Sequence, residues 1–115
     1  MPRQGGKKKQ MLSVKRRARA NQDIDSHFDY LDKEAGSAVA KHFLECCEAA
    51  FTQLAQYPQI GEPVKAISQR LRGLRSWRVM DFESYLVYYL PKPDGVEIVH
   101  IRHSSRDVWG MVRKD

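Results

Sequence analysis

No apolar run in this chain approaches the roughly 18–20 residues that cross a bilayer. The first apolar segment, 11–14, is far too short for the hydrophobic stretch of a signal peptide. Both absences lead to the expectation of a cytoplasmic protein with no membrane partner. Cysteine is scarce, and the two that occur, Cys46 and Cys47, are neighbours. On a helix, neighbours point about 100° apart, a poor geometry for a bond between them, so reduced thiols are expected, as in a cytosolic protein. The seven glycines are scattered and fail the G-x-G-x-x-G spacing. There is no phosphate-cradling loop and no nucleophile elbow. His27 and His42 lack a ligand spacing such as H-E-x-x-H. No cofactor and no metal site are therefore expected.

Acids are missing altogether from residues 1–20, which hold eight Lys or Arg. The net charge of the whole chain is +6, so residues 21–115 together carry −2. That body is split again: residues 21–62 carry −6 and residues 63–115 carry +4. A high overall pI usually points to nucleic acid, but most of this basicity sits in the leading segment. No sequence-specific nucleic-acid binding is expected. Residues 1–10 have no apolar side chain beyond Met1 and read as a flexible basic arm. Residues 11–115 are of a size for one domain.

What the body does contain is clear periodicity. Met11 to Arg16 alternates apolar and polar residues and predicts a short strand. Ala18 to Lys33 predicts a helix with Ile24, Phe28 and Leu31 in one stripe, and with Asp23, Asp25, Asp29 and Asp32 on its solvated face. Gly36 breaks it, and Ser37 is placed to cap a second helix over 38–57. Val39, Phe43, Cys47, Ala50, Phe51 and Leu54 keep the 3.6-residue period along that helix. So short a link predicts an antiparallel helical hairpin. Residues 58–69 read as a loop. Three strands follow, over 70–79, 85–90 and 96–103, with a Pro91-Lys92-Pro93-Asp94-Gly95 turn between the last two. The expected class is α+β: an N-terminal strand, the hairpin, then a three-stranded antiparallel meander with the helices on one sheet face.

The pleat sorts the charged side chains. In the strand 70–79 it places Arg72, Leu74, Ser76 and Arg78 on one face, and Arg75, Trp77 and Val79 on the face toward the helices. Arg75 at the core margin then needs an acid or carbonyl partner or a ligand. Arg72 and Arg78 project to solvent or to a partner. In the strand 96–103, regular alternation puts Val96, Ile98, His100 and Arg102 on one face and Glu97, Val99, Ile101 and His103 on the other. His103 is the one residue with a catalytic reading. Its imidazole can exchange a proton near neutral pH, with Arg106 to stabilise charge. The other reading is that His103 and Asp107 tie down the strand end.

The element order carries a resemblance, together with L-R-G-L-R-S-W-R-V, F-E-S-Y-L-V-Y-Y, G-V-E-I-V-H-I-R-H-S-S-R-D and Y-P-Q-I-G-E-P. Over roughly residues 11–109 the chain resembles the RelE/ParE toxin superfamily, and most of all its ParE branch. Arg75 and Trp77 match the family's R-x-W. Tyr88 or Tyr89 matches its strand tyrosine, and His103, Arg106 and Asp107 match its H-x-x-R-D ending. The resemblance implies the toxin of a bacterial type II toxin–antitoxin module, silenced by a cognate acidic antitoxin. ParE-type members bind and poison DNA gyrase without being enzymes. RelE-type members are ribosome-dependent mRNA endonucleases, a role that would fall here to His103, Arg106 and Arg75. Ser104 stands where glycine is common. The strand 70–79 is rich in arginine and lacks the lysines of the nuclease branch, and arginine stays charged where lysine can exchange a proton. The lack of lysine favours the gyrase-binding reading. Antitoxin or target contacts are then expected at Arg72, Arg78, Arg106 and Trp109, with Arg75, Trp77, Tyr88, His103 and Asp107 holding the fold.

Overall fold

The computed structural model describes residues 12–65 and 68–105. The basic arm, Met11, Arg106, Asp107 and Trp109 lie outside the described residues. The elements are β1 (Ser13–Arg16), α1 (Ala18–Ala35), α2 (Ser37–Gln56), β2 (Glu62–Pro63), a short 3-10 turn (Gln69–Leu71), β3 (Arg75–Val79), β4 (Phe82–Lys92) and β5 (Gly95–His103). The five strands form one mixed sheet in the order β1-β5-β4-β3-β2. β3, β4 and β5 make the antiparallel meander, while β1 runs parallel to β5. Both helices lie on one face, as the periodicity predicts.

Gly36 joins the helices. Its φ of 102° is open to glycine at little cost. Its N–H closes α1 on the carbonyls of Leu31 and Asp32, and its carbonyl accepts from Ala40 N to start α2. Ser37 is thus the first residue of α2 rather than its cap, and its hydroxyl donates to Asp32 Oδ1 at 3.0 Å. The α2 stripe packs as its spacing requires. Phe43, Cys47, Phe51 and Leu54 are fully buried against Val79, Val87, Tyr89, Val96, Ile98 and Ile101 of the sheet. Each large apolar side chain so buried contributes about 1.5–3 kcal/mol.

The solvated face assigned to α1 is wrong at one position. Asp23 is only 8% exposed, and His27, one turn on, is 7% exposed. β1 pairs with residues 95–98 of β5 and no further. Beyond it the backbone of Ile101 would be left unpaired, at a cost comparable to a lost hydrogen bond. Asp23 Oδ2 accepts from Ile101 N at 3.0 Å, and His27 Nε2 meets Ile101 O at 2.7 Å. Two side chains of a helix stand in for the missing strand.

The strand expected over 70–79 starts five residues late. Ser68 accepts from Arg70 N and caps the 3-10 turn. Leu71 and Leu74, three apart, both enter a second apolar cluster with Tyr88, Leu90 and Val99 on the sheet face away from the helices. A three-residue spacing suits a turn and not a pleat, so Arg72 closes the turn instead of lying in a strand. β4 is longer than expected and takes in Pro91 and Lys92, leaving Pro93-Asp94 as the turn. Pro91 is tolerated because β3 pairs β4 only as far as Tyr89, so no ladder bond is needed there.

Regular alternation also fails in β5. Tyr88 pairs with His100 but Tyr89 pairs with Ile98, so Val99 is an extra residue. This bulge moves Ile101 onto the helical face with Val96 and Ile98. His103 follows it there, paired with Tyr85, while Arg102 falls on the opposite face beside Leu86.

Candidate binding surface

The bulge organises the back face of the sheet. Past it, β3, β4 and β5 align side chains in two rows: Arg78–Leu86–Arg102 and Ser76–Tyr88–His100. Directly paired side chains lie about 5 Å apart and the two rows about 7 Å apart. Leu86 sits between two arginines in the first row, while Tyr88 of the second is buried, only 3% exposed. Arg78 Nη1 donates to the carbonyl of Glu83 at 2.7 Å, which holds its stem across the strand end. A cavity of about 480 Å³ opens beside it, lined by Glu62, Ser76, Trp77, Arg78 and Leu86.

Burial raises the Tyr88 hydroxyl above its ordinary pKa, and the charges of Arg102 and Arg78 work in the opposite direction. Tyr88 therefore stays protonated near neutrality and can donate. Arg102 Nε is buried with no acceptor among the described residues. Burying a guanidinium N–H without a partner is unfavourable, which sets Arg102 apart on this face. Sequence reasoning missed Arg102, because regular alternation grouped it with the core-facing Val96 and Ile98.

A second hollow, about 470 Å³, lies along the sheet toward the β4–β5 turn. Arg70, Arg72, Arg75 and Lys92 all line it, and none of its described lining residues is an acid. Arg72 Nη2 donates to the neutral Gln69 at 3.0 Å. Arg75 is on the helical side of β3, and its guanidinium donates to the carbonyls of Gln59 and Gly61. It clamps the end of the loop after α2. Tyr89 does the same from β4, its hydroxyl donating to Pro58 O at 2.7 Å and accepting from Gly61 N at 2.9 Å. Trp77 packs against the main core.

Of the residues named for a nuclease, Arg75 and His103 lie apart. Arg75 pairs with Tyr89 and His103 with Tyr85, on strands either side of β4. Four residues along and two strands across place their backbones roughly 16 Å apart. The His103 ring meets Tyr85 edge-on at 5.0 Å, and its Nδ1 takes the Ser105 hydroxyl at 3.0 Å. Ser104 N donates to Ser84 O at 2.6 Å and closes the strand end. Arg106, Asp107 and Trp109 cannot be placed, as they lie outside the described residues. Among the described residues no helix is long and apolar enough to cross a membrane.

The family model of the ParE toxin of the type II toxin-antitoxin system, parDE, matches residues 14–108. Among solved structures, the chain is similar to one described as the chromosomal ParDE TA system from P. aeruginosa. The TM-score is 0.65 at 18% identity, over 81% of this chain and 96% of that one. At that identity the likeness speaks for the fold. Among curated proteins none matches by sequence.

Proposed function

Because the chain belongs to the ParE toxin family of type II toxin–antitoxin systems, we propose that it is a toxin that inhibits DNA gyrase by binding, and that a cognate acidic antitoxin neutralises it. The family match over residues 14–108 carries this reading. Two features of the surface support it. Arg78 and Arg102 flank Leu86, which suits an acidic, partly apolar segment, and Arg70 and Arg72 extend the positive field along the same sheet. Arg75 and His103 stand apart and are each engaged locally, which supports inhibition by occupancy over RNA cleavage. The antitoxin segment then lies over Arg72, Arg78 and Arg102, its carboxylates pairing with the guanidinium groups.

The test is expression of the chain without antitoxin, followed by a gyrase supercoiling assay and a ribosome-bound mRNA cleavage assay. Loss of supercoiling with intact message is the expected result. Cut message that disappears in His103→Ala would overturn the reading in favour of a RelE-like nuclease. Arg72→Glu combined with Arg78→Glu is expected to weaken antitoxin or gyrase binding by more than about tenfold, since each lost charged pair of this kind is worth about 1.5–3 kcal/mol.

A further inference from the structure

On the helical side of the molecule, three side chains from two elements turn their donor atoms to one point. His42 and Cys46 are four apart on α2 and so share a face. Asp81 reaches them from the β3–β4 turn, where it holds a φ of 73°. His42 Nε2 is 3.0 Å from Asp81 Oδ2 and 3.6 Å from Cys46 Sγ. All three donor atoms lie within 4.8 Å of one another. In a tetrahedral zinc site, bonds of about 2.0–2.3 Å put donors about 3.3–3.6 Å apart. Two of the gaps are already close to that, and the third closes with about 1 Å of movement at exposed side-chain ends.

The surroundings are those of a cation site. His42 Nδ1 is 3.6 Å from Glu45 Oε1 and 4.0 Å from Cys46 Sγ. Glu45 is thus near the place an outer-shell carboxylate takes beside a ligating histidine. Glu83 Oε2 accepts from Asp81 N at 3.2 Å and steadies the turn. The Phe82 ring lies 5.7 Å from the imidazole and walls one side. Glu45 and Asp81 both contact the His42 ring beside the thiol.

We propose that His42, Cys46 and Asp81 bind one zinc-class divalent ion, which ties α2 to the β3–β4 turn. Imidazole, thiolate and carboxylate together suit Zn²⁺ better than the all-oxygen cations Mg²⁺ or Ca²⁺. Binding forms a metal–sulfur bond and releases the Cys46 proton to solvent. Nε2 coordinates as the neutral imidazole, and water or Glu83 takes the fourth position. The site is separate from the back face, so it goes beyond the reading of the chain as a gyrase inhibitor.

The experiment is titration of the full chain with Co²⁺, a spectroscopic stand-in for Zn²⁺, at neutral pH. The expected result is a single equivalent with a thiolate-to-cobalt charge-transfer band, displaced by Zn²⁺. Cys46→Ser should abolish the band. His42→Gln and Asp81→Asn should each weaken binding by more than about tenfold, the lower end of what even outer-shell losses cost. In the unaltered chain, Zn²⁺ should protect Cys46 from alkylation and EDTA should restore it, which needs no variant to fold. The absence of the band, its survival in Cys46→Ser, unchanged affinity in His42→Gln, or unchanged alkylation would each overturn the proposal.

Discussion

Asp23 shows how one side chain can hold a sheet edge. Burial by itself would raise its pKa, but the His100 contact, the Ile101 N–H and the charge of Arg102 outweigh it and hold the carboxyl below its ordinary 3.8. A folded value below the unfolded one contributes stability that is fully present above about pH 4 and is lost as pH falls through the folded value. Glu97 has the same sign. Its carboxylate is held below 4.5 first by the Arg17 hydrogen bond at 2.8 Å, with Lys92 adding at 3.4 Å. Acid unfolding should therefore set in below pH 4. Asp23→Asn should flatten the acid limb, because the amide can still accept from Ile101 N but no longer titrates. Asp23→Ala should cost about 2–3 kcal/mol at pH 7, since it orphans the Ile101 N–H and the His100 ring. Urea unfolding at pH 7 and at a series of pH values below 4 measures both.

At the scale of elements, the parallel β1–β5 pair depends on close approach. Gly95 pairs with Ser13 at φ 154°, and a Cβ there would run into the Ser13 carbonyl, which is backbone and cannot swing aside. Gly95→Ala should cost about 3 kcal/mol from the clash and the strained φ together. Hydrogen exchange should show the loss first at Ser13 N and Arg17 N, which donate to Asp94 O and Ile98 O. The helices need no such help. The stripe along α2 and the break at Gly36 were legible in the sequence because each is local. The bulge at Val99 was not, because it exists only in the pairing of β5 with β4.

For the whole molecule, charge is divided by layer. The back face and the adjoining hollow carry Arg70, Arg72, Arg78 and Arg102, while α1 and α2 carry most of the acids of residues 21–62. A partner attracted by that field should associate faster at low salt. Raising ionic strength from about 0.01 to 0.15 M shortens the screening length from about 30 to 8 Å. Stopped-flow mixing of toxin and antitoxin should show an association rate that falls with salt, and Arg72→Glu with Arg78→Glu should remove most of that dependence. An unchanged salt slope in the double variant would place the contact elsewhere.

The sequence by itself determined the α+β class, the helical hairpin, the antiparallel meander and the family. These rest on periodicities and short motifs that do not depend on distant contacts. It also placed Arg75 at the core margin, because the pairing from Arg75 to Arg78 is regular. Only the tertiary structure decided the rest. Asp23 and His27 are inside because β1 is too short to cover β5. Arg102 joins Arg78 because one extra residue reverses the pleat. His42 and Cys46 show their relation at once on a helix, but Asp81 is 35 residues further along the chain than Cys46 and meets them only when the β3–β4 turn folds against α2.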